Sequence, residues 1–223
     1  MCGMAFSAGS ILGPVLGGFF VQTFEGMNLL LPCQHRDIIC VFAAFDLGKR
    51  RQCWKVTKMG DTSLFTYHIT NELTLASLQL DDADSLFSLI QNNKAHLGEW
   101  LPWVHQCQSV EAVKTFIQST QTTYNEQKGL EAGIQLNEQL IGVFRLTFDQ
   151  QLGNIGYWID EDAQGQGIVT AIVKYMTDTF APKVDGIEIF CPAGHVRSER
   201  VAINAGFQHD PHYQSKPDTA FYS

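Results

Sequence analysis

A stretch with strand character, Gly156-Tyr157-Trp158-Ile159, runs through Asp160–Ala163 into Gln164-Gly165-Gln166-Gly167 and then into an apolar helical stretch from Ile168 to Phe180. Small residues at a strand-to-helix turn let backbone N–H groups come close to a ligand. The helix start that follows adds N–H donors with no partner in the helix and a partial positive charge. Together these make a place for an anionic pyrophosphate. Turns and helix starts also use glycine for purely backbone reasons, so the loop alone leaves both readings open. No Gly-Lys-Ser/Thr follows, which excludes a Walker loop, and the spacing is not the Gly-x-Gly-x-x-Gly of a dinucleotide fold.

The elements around the loop are legible from periodicity. Glu72–Leu78 alternates apolar and polar residues as a strand does. Asp81, Asp82 and Asp84 suit a helix start, and Leu86, Phe87, Leu89 and Ile90 follow at helical spacing. Leu97–Trp103 is an aromatic connection broken by Pro102. Ser109 can cap a helix to about Gln127, with Val113, Phe116, Ile117 and Tyr124 on one face. Strands at about Ala132–Leu136, Leu140–Phe148 and Asn154–Ile159, joined by short polar turns, predict an antiparallel meander. After the apolar helix come a strand, Gly186–Phe190, a loop, Cys191–Val196, and a helix from about Arg197 to Asn204.

This order of elements, with these residues, resembles the GNAT superfamily of N-acetyltransferases, and within it the ribosomal-protein-alanine acetyltransferases of the RimJ/RimL type. The pieces that carry the resemblance are Leu97–Trp103, Ile155-Gly-Tyr-Trp-Ile159, Gln164-Gly-Gln-Gly-Ile168 with Thr170, and Ser198 through Ala205-Gly206-Phe207. It implies an α/β fold with a mixed, mostly antiparallel sheet splayed at the central strand and flanked by helices. It also implies acetyl-CoA as cosubstrate. The coenzyme pyrophosphate would lie on Gln164, Gly165, Gln166, Gly167, Ile168 and Val169, and the pantetheine arm would pair with the strand at Trp158 and Ile159. The acceptor would be an amine, with the N-terminal amine of a protein such as a ribosomal protein as the expected substrate.

Ser198 matches the family residue near the coenzyme sulfur that protonates the leaving thiolate; an ordinary helix N-cap is the competing role. Where relatives carry Asn three positions earlier this chain has His195, which could hydrogen-bond the pantetheine, act as a base or face solvent. The residue before Ile155 is often acidic in relatives and is Asn154 here, leaving Glu131 or a water chain as the base. Val169 replaces a common Gly or Ala. Trp100, Trp103 and Tyr124 fall on segments that line the acceptor side in relatives, or serve as core. After Phe207 only 16 of the 223 residues remain, with Thr219–Tyr222 as a short last strand, so an acetyl-CoA-binding protein without turnover is a second reading. A small-amine acetyltransferase is a third.

Bulk properties agree with an enzyme of this kind. Hydrophobic residues make up 45% and charged residues 17%, enough for a filled core. Lys plus Arg number 15 against 23 Asp plus Glu, a net charge of −8, which argues against nucleic acid as a direct partner. The six cysteines show no metal or disulfide spacing, and His209 with His212 lacks a third ligand, so no metal is expected. The expected domain is 59–223, with 1–58 an extension. Its first 24 residues are uncharged and apolar, and Gly9–Gly18 resembles a helix motif of major facilitator antiporters. That extension could be a remnant, a membrane anchor over 4–24 or a soluble appendage. A cytoplasmic protein is expected, membrane-tethered only if the anchor is real.

Overall fold

The computed structural model describes residues 65–192 and 194–209, together with the backbone of Ile38–Ala43. Strand β1 is Ile38–Ala43, β2 Thr66–His68 and β3 Leu73–Ser77. Three helices follow, α1 Ala83–Asn92, α2 Lys94–Gly98 and α3 Val110–Asn125. The meander is β4 Gly129–Leu136, β5 Gln139–Asp149 and β6 Leu152–Ile159. Then come α4 Ile168–Phe180, β7 Gly186–Pro192, α5 Val196–Asn204 and β8 Gln208–His209.

The strands form one sheet in the order β2-β3-β4-β5-β6-β7-β1-β8. Every neighbouring pair is antiparallel except β6–β7, which is parallel. The antiparallel turns are tight, with positive φ at Asn137, Glu138 and Gln150. A parallel neighbour needs a crossover, and α4 supplies it between β6 and β7. The expected mixed, mostly antiparallel sheet is thus present. Strand β1 arises from a stretch without period 2 or 3.6 in its surroundings, and it pairs Ile38–Ala43 with Pro192–Ile187 on one side and Val41–Phe42 with His209–Gln208 on the other.

Because side chains alternate along strands, each face of the sheet builds its own core. One face, with Leu78, Val143 and Trp158, is covered by Leu86 and Ile90 of α1 and Val113, Phe116 and Ile117 of α3. The other, with Phe144, Leu146, Ile155 and Ile189, is covered by Ile172, Val173, Met176 and Phe180 of α4 and Ala202 of α5. Each of those four α4 side chains is fully buried, contributing about 1.5–3 kcal/mol apiece against exposure. Ser109 caps α3 as expected, accepting from Ala112 N at 3.2 Å. Tyr124 keeps the expected helix face, but near the end of α3 its ring lies 4.6 Å from that of Phe65, beside the other core.

Candidate active site

Strands β6 and β7 pair only from Leu152–Ile155 against Gly186–Ile189. Beyond that point β6 continues to Ile159 and β7 to Pro192 without bonding to each other. Their facing N–H and C=O groups are therefore open to an extended ligand arm. A cavity of about 550 Å³ opens at this splay, lined by Tyr157–Ile159 on one side and by His195 and Ser198 on the other.

The glycine loop forms the end of the cavity. Gly165 and Gly167 both have φ of +75°, a conformation costing an L-residue about 1–2 kcal/mol. Nothing lies within 4 Å of where their Cβ atoms would be, so backbone conformation, and not crowding, calls for glycine here. Gly167 is the N-cap of α4 and offers no capping side chain, leaving the first-turn donors for a ligand. Ile168 and Val169 send their side chains into the core while lining the cavity. Gln164 lines it too, its amide donating to His96 Nε2 of α2 at 2.5 Å and accepting from Arg197 of α5. Gln166 turns away, donating to Asp162 O at 3.2 Å. Of the expected pyrophosphate set, Gln164, Gly165, Gly167, Ile168 and Val169 border the cavity with Thr170, as do the expected pantetheine residues Trp158 and Ile159.

Ser198 is not the cap of α5. That position belongs to His195, whose carbonyl accepts from Ser198 N at 3.0 Å. Ser198 lies one turn in and is buried, with Oγ 2.8 Å from Tyr157 Oη and 3.3 Å from the donating Cys191 thiol. Burial pushes the Tyr157 phenol up and the Cys191 thiol to about 11, so both keep their protons at neutral pH. The His195 ring sits 4.2 Å from that of Trp100, and its Nδ1 is buried without a hydrogen-bond partner. Burial, then His96 and Arg197, lower its pKa to about 4, so the ring is neutral. It is not the solvent-facing loop residue that its position allowed.

The remaining expectations divide. Trp100 lines the cavity, whereas Trp103 packs 6.5 Å from Trp158 and Tyr124 lies elsewhere. Glu131 is 2% exposed, 3.9 Å from Arg145 Nε and away from the cavity wall. Asn154 donates to Glu188 Oε1 at 3.4 Å. Three contributors had no signal in the sequence: the Tyr157 hydroxyl, His96 and Arg197. Alternation along β6 could have indicated that Tyr157 and Trp158 face opposite ways, but nothing local says what each meets.

A parallel strand pair splayed open beside a glycine-rich helix start, with a buried hydroxyl pair at the vertex, defines a coenzyme-A-dependent acyltransferase. The chain belongs to the acetyltransferase (GNAT) domain family, whose model matches residues 72–208. It is an acetyl-CoA-dependent N-acetyltransferase. It is 31% identical over 150 residues to YdaF of Bacillus subtilis (strain 168), named as a ribosomal N-acetyltransferase, covering 65% of this chain and 82% of that one. It is 27% identical over 147 residues to the ribosomal-protein-serine acetyltransferase of Escherichia coli (strain K12), covering 64% of this chain and 82% of that one. A solved acetyltransferase structure superposes with a TM-score of 0.60 at 30% identity, over 64% of this chain and 82% of its own. A separate 29-residue stretch is 66% identical to YfkF of Bacillus subtilis (strain 168), named as an MFS-type transporter, of which it covers 7%. The expected remnant, anchor and last strand lie outside the described residues. Among those described, no helix is long and apolar enough to cross a membrane.

Proposed function

We propose that the acceptor is the N-terminal α-amine of a ribosomal protein and that acetylation takes place in the cytoplasm, where both substrates meet. Two relatives named for ribosomal acetylation support this acceptor. The chemistry supports it too. A free α-amine has a pKa of about 8 against about 10.4 for lysine, so it yields its proton more readily by about 3 kcal/mol. A site without a strong base can therefore manage it.

Gly165 and Gly167 would hold the acetyl-CoA pyrophosphate, and Trp158 and Ile159 would border its pantetheine arm, since all four line the cavity. Neutral His195 offers Nδ1 to a pantetheine amide. The amine nitrogen attacks the thioester carbonyl, and backbone N–H groups of β6 stabilise the oxyanion. As the C–S bond breaks, Ser198 gives its proton to the thiolate and recovers one through Tyr157, whose own proton is replaced, by way of water, by the one the acylated nitrogen sheds. The observation that carries this assignment is the 2.8 Å contact between those two hydroxyls near the vertex of the splay.

The test is to incubate the full chain with acetyl-CoA and purified ribosomal proteins and to locate acetyl groups by mass spectrometry. Acetylated N-termini are expected. Acetyl groups on lysine side chains or on small amines alone would overturn the acceptor, and acetyl-CoA binding without turnover would leave a binding protein.

A further inference from the structure

Beyond Ser198, helix α5 lines the cavity with Arg200, Val201 and Asn204, and Arg197 lines it just before. Spacings of three and four residues put these on one stripe of the helix. The stripe borders the same space as the glycine loop and Thr170 of α4. Arg197 reaches the loop itself, donating to Gln164 Oε1. Arg200 lies about one turn further on and, among the described residues, makes no ion pair. Asn204, the last residue of α5, is about 9 Å along the axis from Ser198.

A chain of net charge −8 thus gathers positive charge on one wall of this cavity. Among the described residues, Glu161 is the one carboxylate that lines it, against Arg197 and Arg200. The backbone of Glu161 is tied to Asn93, at the end of α1, on the side away from α5. Glu199, next to Arg200 in sequence, is not part of the wall. The C-terminal end of a helix carries partial negative charge, so an anion lying near Asn204 needs a cation beside it.

We propose that Arg200, flanked by Arg197 and Asn204, binds the ribose 3′-phosphate of the coenzyme and makes the enzyme select coenzyme A over its dephospho form. This rests on the acetyl-CoA reading and extends it to the far end of the cofactor. With the sulfur at Ser198 and the pyrophosphate at Gly165 and Gly167, the nucleotide must continue past the loop. The wall beyond the loop is Thr170 on one helix and Arg200 and Asn204 on the other. The pyrophosphate meets backbone donors at a helix start. The monoester, with a charge of about −1.5 to −2 at pH 7, meets a guanidinium whose paired donors match its oxygens. Arg200 is exposed, so water screens this pair and the selectivity is on the order of tenfold.

The experiment is titration calorimetry on the full chain with two ligands, coenzyme A and 3′-dephospho-coenzyme A. The wild type should bind coenzyme A about tenfold more tightly, and added salt should shrink that preference. Arg200→Gln should weaken coenzyme A by about tenfold, leave the dephospho form unchanged and so erase the preference. Arg200→Lys keeps the charge and should recover part of it. Lys183→Gln removes the same charge past the far end of α4, about 20 Å from Gly167, and should leave the preference intact. Equal losses for both ligands in Arg200→Gln, or a preference that survives it, would overturn the subsite. So would a wild type that binds both forms equally, with the acetyl-CoA reading still standing. Binding of neither form by the wild type would overturn that reading as well.

Discussion

The Tyr157 phenol oxygen lies 2.8 Å from Ser198 Oγ, joining β6 to the first turn of α5 across the splay, with the Cys191 thiol donating to the same Oγ at 3.3 Å. Ser198 therefore has a donor on either side and can give up its own proton without leaving a buried alkoxide. Ser198→Ala should lower kcat by about 100-fold with little change in KM for acetyl-CoA. Tyr157→Phe keeps the ring and loses the hydroxyl's contacts with Ser198 Oγ and the Ser198 carbonyl, so roughly tenfold is expected. Steady-state kinetics on both variants checks the order; a Tyr157→Phe enzyme worse than Ser198→Ala would place the acid on the phenol.

Gly167 caps α4 in a left-handed conformation with open space above it. Gly167→Ala should weaken acetyl-CoA only through backbone strain of about 1–2 kcal/mol. Gly167→Glu adds a carboxylate at the proposed pyrophosphate position and should abolish binding. Titration calorimetry on both variants separates the two causes, since equal losses would point to misfolding of the loop.

His195 titrates at about 4 in the folded chain, below its ordinary value of about 6.5. The unfolded chain therefore binds more protons between those values, and stability should fall as pH drops from about 6.5 to 4. His195→Gln should flatten that part of the curve of Tm against pH. An unchanged slope would mean that the ring is solvated.

Strand β1 separates β7 from β8, pairing with both. A chain beginning at Met59 would lose it, exposing the edge of β7, the strand that leads into His195 and Ser198. Such a chain should have a lower Tm than the full one and aggregate more readily by light scattering. Equal Tm values would support a domain complete from residue 59.

The meander, α3 with its Ser109 cap and the Gly165/Gly167 loop were legible because each obeys a local rule: alternation, a capping side chain, glycine at positive φ. Ser198 illustrates the limit. Its place near a helix start was visible, but which residue capped α5 depended on how the loop from Cys191 turned, and His195 took the cap. Tyr124 shows the same limit: its helical period was legible, but that its ring would meet Phe65 was not. Strand β1 left no signal because its place comes from pairing on two sides, not from a period of its own.

The sequence by itself determined the family, the meander, α3, α4 and α5, and the glycine turn before α4, since these depend on contacts a few residues apart and on backbone conformations that only glycine adopts easily. Tertiary structure alone decided which side chains share the active site. Whether Tyr157 reaches Ser198, 41 residues away, follows from strand register and from where β6 and β7 part. Those are long-range choices, set by packing α4 and α5 on one face and α1 and α3 on the other, and no local pattern encodes them.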